Sequence, residues 1–374
     1  MSARLGPPDG IMLGGVLLLV GLSVVMVASA SLGISEVRYG DPMHIVRRWA
    51  VYMPIGIVLM WAVSRIDVSW WQAAALPMLA VMGLLMILVF VPDLGREING
   101  ARRWFSLFGM TVQPVEIMKP VILIYMAHYM ANFPERLAHF SSGLAPMLVV
   151  LGVMDVLLLV QPDFGSAVLL STVCMCMWFV GGVPMRHLLA TAGVAVPLGA
   201  VVMVSEPYRW QRLTSFIDPW ADPLGSGYQL IQSMIAYGSG GLYGAGLGQG
   251  VQKLFYLPEP FTDFVSAVLA EELGLVGVMG LLVVFMLLLW RGMRLAYLAE
   301  HSFSRLLSLG CVMLLGLSFI INMGAAMGML PTKGMPMPIL SYGGSALIGS
   351  FFLLGLLFSI QRHHPVNRRH GEQA

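Results

Sequence analysis

The chain has 374 residues, of which 58% are apolar and only 11% charged. Soluble globular domains carry roughly 45–50% and about 25%, so a water-soluble fold is excluded. A net charge of +2, with no Lys/Arg run that could track a phosphate backbone, excludes nucleic acid as a partner and leaves lipids and membrane proteins.

The apolar residues come in blocks of membrane-spanning length flanked by charge, turn residues or aromatics. They predict an all-α, polytopic membrane protein with about ten transmembrane helices, near 11–31, 46–64, 74–91, 112–131, 145–160, 165–182, 187–205, 265–290, 304–328 and 342–361. Residues 1–374 read as a single membrane domain. The first block ends in Ala28-Ser29-Ala30, which resembles a signal-peptidase site. The block is longer than a signal core and only Arg4 precedes it, so it reads as a retained helix. Cys174, Cys176 and Cys311 all fall inside spans, and the first two, spaced i,i+2, point to nearly opposite helix faces, so no disulfide or metal framework is implied.

The loop 92–113 contains GREINGARRWF, with Arg96, Arg102 and Arg103 beside Trp104. Arginine forks suit pyrophosphate oxygens, although juxtamembrane arginines also bind lipid headgroups. In the fourth span Glu116 and Lys119 lie i,i+3 on one face, either as a neutralising pair or with Lys119 turned to a ligand. Asp155 lies in the fifth span and Asp163 just after it. Charges at such depth are costly and ask for a reason.

The long loop 206–264 is not a linker by composition. Tyr228, Ile231, Met234 and Ile235 recur at helical spacing and predict a short amphipathic helix at the membrane surface. The run GSGGLYGAGLGQG that follows lacks both a Gly-Lys-Ser/Thr ending and a preceding strand, so it is not a nucleotide loop. Its glycines fit tight turns and close approach to neighbouring helices. Asp263 stands where this loop enters the eighth span, and from position alone it reads as an N-cap. Glu271 and Glu272 lie two turns deeper and read as members of a buried ion pair with a basic residue of another span. Before the last span, LPTKGMPMPILSYGGS frames Lys333 with Pro and Gly in a tightly turned or re-entrant loop, where Lys333 is either a surface charge or an anion ligand. The set of short loops has few acids and holds its basic residues tight against helix ends. It is assigned to the cytoplasm, which puts 206–264 outside.

NGARRWF with QPVEIMK, QPDFGSAV, EPYRWQRLTSFIDPWADPLGSGYQLIQS, LPEPFTDFVSAVLAEELGLVG and MGMLPTKGMPMPILSYGGS, in this order, resemble the SEDS family of peptidoglycan glycosyltransferases over about residues 95–350. The LPTKG block resembles the cell-division branch of that family more than the elongation branch. The resemblance implies ten helices with both termini cytoplasmic, a location in the bacterial plasma (inner) membrane at the division septum, and Asp263 of the TDF motif as the catalytic residue. The family commonly has a histidine two residues before that aspartate, where this chain has Phe261.

The expected reaction joins lipid II to a growing glycan linked to undecaprenyl pyrophosphate, with inversion at the anomeric carbon. Asp263 takes the proton of the acceptor hydroxyl. Pyrophosphate leaves as a stabilised anion, so no second carboxyl is needed of the kind glycosidases use. Arg102, Arg103, Lys119 and Lys333 are the candidate clamp for it, with Glu116, Gln161, Asp163, Glu271 and Ser341 as supporting residues. A divalent cation, Mg2+ or Mn2+, could share that task, but no acidic cluster establishes a metal site. A class B penicillin-binding protein transpeptidase and other membrane proteins of the division machinery are the partners implied by the resemblance. The alternatives are a lipid II flippase, which predicts inverted halves and a polar path at mid-membrane, an elongation-type polymerase, and a scaffold that leaves the buried charges unmotivated.

Overall fold

The computed structural model describes residues 8–363 apart from Asn99, Phe108 and Lys333. Its helices follow the apolar blocks: α1 (Gly10–Tyr39), α2 (His44–Val63), a short α3 (Val68–Ala73), α4 (Ala75–Leu88), α5 (Pro114–Asn132), α6 (Ala145–Val160), α7 (Phe164–Val180), α8 (Met185–Ser205), α9 (Pro207–Ile217), α10 (Tyr228–Ser239), α11 (Val265–Leu298), α12 (Ser302–Ala326) and α13 (Gly344–His363). Seven segments are long and apolar enough to cross a membrane by length and composition: α1, α2, residues 140–160 ending in α6, α8, α11, α12 and α13. The shorter apolar helices α4 and α7, and the 19-residue α5 with Glu116 and Lys119, complete the ten predicted spans. The chain is a multi-pass membrane protein.

Packing is uneven. The apolar windows of α12 and α13 are 72% and 78% buried and make the centre of the bundle, with α13 lying along α2. Only 6% of the α8 window is buried, so this helix presents its apolar residues almost all round, as a span facing lipid does. At one face of the bundle Asp9 caps α1 by accepting from the backbone N–H of Ile11 and Met12. The same carboxylate pairs with Arg291 near the end of α11, and the Asp9 N–H donates to Gln361 Oε1 of α13 at 2.9 Å. The start of α1 and the ends of α11 and α13 therefore meet on one side.

The opposite side differs from the sequence expectation in two places. Residues 95–112 form a three-stranded antiparallel sheet, β1 (Gly95–Ile98), β2 (Ala101–Leu107) and β3 (Met110–Val112), in the order β1-β2-β3. Ile98 pairs with Ala101, and Gly100 between them takes φ 74. The loop 206–264 holds two α-helices, with a 3-10 turn at Pro219–Ala221 between them, where one helix was expected. The second, α10, buries Leu230, Ile231, Ser233 and Ala236 against α11 and α12, while Ile235 is 42% exposed. Its anchoring face is turned by about one residue from the predicted one. Ser233 Oγ donates to the Ala326 carbonyl at 2.6 Å, which fixes α10 to the end of α12.

The glycine run after α10 has a defined task. Helix α11 is interrupted at Gly274 (φ 64, ψ −162). The carbonyls of Glu271 and Glu272 accept from the N–H groups of Ala245 and Gly246 at 2.9 and 3.0 Å. In return the N–H groups of Leu275 and Val276 donate to Gly241 and Leu242 at 2.9 and 3.1 Å. Backbone groups freed by the break are thus satisfied by the loop, as they must be in a water-poor setting.

Candidate active site

Asp263 lies two residues ahead of the first residue of α11, on a wall built from three segments. The N-cap of α11 is Phe264, with no side-chain cap bond, so the N-cap reading of Asp263 is incorrect. Among the described residues nothing hydrogen-bonds its carboxylate. Its backbone is held instead: Asn322 Nδ2, from α12, donates to the Asp263 carbonyl at 2.9 Å and to the Met335 carbonyl at 2.7 Å. The Tyr342 N–H donates to the Phe261 carbonyl at 2.8 Å, and the two rings meet edge to face at 5.6 Å. Phe261, where the histidine of the related motif would stand, is therefore a packing residue joining the 261–264 turn to the 335–345 loop. A Cβ on Gly334 would stand 3.3 Å from Asp263 Oδ2, so that loop closes directly over the carboxyl.

The residue as a whole is partly exposed, while its carboxyl sits in the crevice beneath this loop. Burial pushes the Asp263 carboxyl up to about 7, the neighbouring Glu259 carboxylate pushes the same way, and the Arg212 guanidinium opposes both. A group ionising near 7 is matched to accepting a proton at neutral pH. The raised value also means that the stability this carboxyl contributes is fully present below the ordinary carboxylate range and is lost as pH rises from there through about 7. Glu259 is shared with Arg38 of α1 in an exposed ion pair at 3.5 Å. Tyr342, whose phenol is raised by burial against the pull of Arg48, has Tyr52, Tyr39 and Glu259 as its other electrostatic neighbours. Glu259 and Arg212 are thus the charged neighbours of the carboxyl, with Arg38 paired to Glu259 and Arg48 acting on Tyr342. None of these four residues was singled out by the sequence.

The remaining sequence candidates lie elsewhere. Arg103 sends Nε to the Gln161 carbonyl and Nη2 to the Pro162 carbonyl at 2.7 Å, bracing the sheet on the α6–α7 turn. Buried Gln161 in turn donates to the Met86 carbonyl at 3.3 Å. Asp163 caps α7 by accepting from the Ser166 N–H at 3.1 Å. Arg102 is exposed and paired with Glu97 at 3.1 Å. Lys119 is buried and bonded to Glu116 Oε1 at 2.6 Å, the neutralising pair of the two readings, in a small cleft beneath Pro338. Ser341 Oγ accepts from the Met337 N–H at 2.9 Å and shapes its own loop. Asp155 accepts from Ser171 Oγ at 2.6 Å, joining α6 to α7. Lys333 lies outside the described residues. Glu271 accepts from the N–H groups of Val251 and Gln252, and Glu272 pairs with Lys253 at 2.5 Å. That buried pair is the one expected, except that its base comes from the loop and not from another span. Asn322 was missed, although a lone amide in the apolar block 304–328 was the available signal. No group of three or more His, Cys, Asp or Glu side chains converges among the described residues, and no cation site is assigned.

A family model described as a cell-cycle protein and covering FtsW, RodA and SpoVE matches residues 11–365. The chain belongs to this family. It is the group whose motifs the sequence carries, the SEDS proteins. Among its relatives, a probable peptidoglycan glycosyltransferase FtsW of Halomonas elongata is 42% identical over 97% of this chain and 95% of that protein. A protein of the same name from Coxiella burnetii is 43% identical over 91% and 93%. Among solved structures, a chain of a peptidoglycan synthase complex that coordinates polymerization and crosslinking superposes with a TM-score of 0.78 at 32% identity, over 98% of this chain and 99% of that one. The rod-shape-determining protein RodA of Thermus thermophilus gives 0.69 at 30% identity, over 96% and 98%. Relatives named FtsW agree with the likeness to the cell-division branch.

Proposed function

We propose that this SEDS protein is an inverting peptidoglycan glycosyltransferase that polymerises lipid II into lipid-linked glycan at the outer face of the plasma membrane, for the septal wall of dividing cells. The whole chain acts as one membrane domain. The observation that carries the reading is Asp263, a carboxyl tuned to about 7 beneath the Gly334 loop with Arg212 as its cationic neighbour, on the side of the bundle away from the Asp9–Arg291 pair. Its place in the TDF motif and the names of the relatives support the same activity.

The sugar 4-hydroxyl of an incoming lipid II attacks the anomeric carbon of the growing chain. Asp263 accepts the hydroxyl proton as the new glycosidic bond forms, and the bond to pyrophosphate breaks with its electron pair leaving on oxygen. Arg212 stands nearest the carboxyl in electrostatic terms and is the first candidate to stabilise that charge. Lys333 joins it on sequence grounds. Arg103 and Lys119 are already engaged by carbonyls and by Glu116, so their part is to hold the scaffold. A single-anchor transpeptidase of the penicillin-binding class is the expected partner, supported by the solved synthase complex the chain resembles.

Purified protein incubated with lipid II, with and without that partner, should yield glycan ladders on gels; no polymer under either condition would overturn the assignment. Orientation has its own measurement. Leu224 is 88% exposed, so Leu224→Cys should react with a membrane-impermeant maleimide in intact spheroplasts. Labelling only after lysis would reverse the topology. The rate of polymerisation should rise with pH up to about 7, close to tenfold per unit on the acid side, because the ionised carboxylate is the active form. Glu259→Gln removes a like charge and should move this limb to lower pH, and a limb that stays in place would separate it from Asp263.

A further inference from the structure

Something other than capping has to fix the direction of the Asp263 side chain, because the carboxylate neither caps α11 nor receives a hydrogen bond from a described residue. Downstream the helix begins at once. Upstream the chain runs through residues 254–262, where Leu254, Phe255 and Tyr256 are exposed and Phe255 and Glu259 take positive φ values of 70 and 50. Strained backbone of this kind persists only where its surroundings over-determine it. The restraint lies at the far end of the segment. Lys253 is 7% exposed, and its ammonium donates to Glu272 Oε1 at 2.5 Å and to Ser29 Oγ of α1 at 2.7 Å. Ser29 Oγ donates in turn to the same Glu272 oxygen at 2.6 Å, while Glu272 Oε2 accepts from the Gly248 N–H at 3.0 Å. One turn of chain is thus nailed to α11 by Glu272, to the adjacent Glu271 through the Val251 and Gln252 N–H groups, and to α1 through Ser29.

We propose that the buried Lys253–Glu272–Ser29 cluster is a positioning device that ties the strap 254–262 to α1 and α11 and thereby sets the placement of Asp263 over its substrate. The inference rests on Asp263 being the base. Stability does not explain the cluster. Taking an ammonium and a carboxylate out of water is costly, and replacing such a pair with apolar side chains of similar size is often neutral or stabilising. What apolar side chains cannot supply is a directional bond that fixes one register of loop against helix. The pair's other hydrogen bonds go to Ser29 and the Gly248 N–H. Its influence runs through the strap, whose two ends are the cluster and the carbonyl that Asn322 holds.

The test compares the full-length wild type with the double variant Lys253→Met/Glu272→Met and with Ser29→Ala. Removing Lys253 alone strands a buried carboxylate and invites misfolding, whereas the double variant removes both charges, and Ser29→Ala leaves both in place. The double variant should fold, with amide exchange across 254–262 at least about tenfold faster. Its kcat with lipid II should fall about tenfold to a hundredfold, the scale of a reacting group misplaced by about an ångström, while KM stays within about threefold. Ser29→Ala should show the same pattern more weakly. A folded double variant with wild-type kcat, or with unchanged exchange in the strap, overturns the proposal. If the double variant does not fold, Ser29→Ala decides alone, and unchanged kcat and exchange there overturn it. If the wild type itself makes no polymer from lipid II, the glycosyltransferase reading fails while the exchange comparison still judges the tether.

Discussion

Asp263→Asn should polymerise lipid II at least about a hundredfold more slowly than the wild type, the usual scale for loss of a general base. An amide keeps the size and the acceptor oxygen of the carboxylate but takes no proton from a hydroxyl near neutral pH. Because α11 is capped at Phe264 and not at Asp263, neither Asn nor Ala at this position removes a helix cap, so the roughly 1 kcal/mol that a lost cap costs should be absent from both. The wild-type carboxyl is harder to ionise in its crevice than in the unfolded chain. Asp263→Asn should therefore melt at the same temperature as the wild type, or higher, at pH 8, where the buried charge works against folding. Activity lost with thermal stability kept separates a base from a structural residue. Near-normal glycan synthesis by Asp263→Asn would remove the base assignment.

The ten spans were legible because each is a block of apolar residues long enough to dominate its neighbours, and even α5, diluted by Glu116 and Lys119, kept that signature. Asp263 was singled out by its motif, and its position was misread, since a residue before a helix looks like a cap whichever of two neighbours takes the role. The sheet at 95–112 went unread although Asn99-Gly100 is a strong hairpin signal. In a chain read by hydropathy, strands of three to seven residues with mixed polarity carry little weight. Arg212 could not be placed from sequence, because 50 residues of chain lie between it and Asp263 and only the packing of the loop brings them together. Lys119 shows the reverse case. Its i,i+3 spacing to Glu116 already contained the pair that the structure forms.

Gly274→Ala should abolish folding of the outer half of the molecule. Gly274 takes φ 64 with ψ −162, a conformation essentially confined to glycine, and an added Cβ would stand 2.4 Å from the Gly244 nitrogen and 2.6 Å from the Leu242 carbonyl oxygen. Neither neighbour can swing aside, because both belong to the backbone that replaces the hydrogen bonds lost at the break in α11. The facing position is as tight: Gly244 has φ 79, and a Cβ there would stand 2.1 Å from the Glu272 carbonyl oxygen. Each substitution forces loop and helix apart, exposes the four bonds between residues 241–246 and 271–276, and should cost more than about 3 kcal/mol, beyond the range of most single substitutions. Gly238→Ala supplies the contrast. It lies in α10 with nothing within 4 Å of its added Cβ, and should be neutral or stabilising by up to about 1 kcal/mol. Monodisperse yield and melting temperature in detergent would read all three variants. A Gly274→Ala protein as stable as Gly238→Ala would mean that the interrupted helix is not the state the chain adopts.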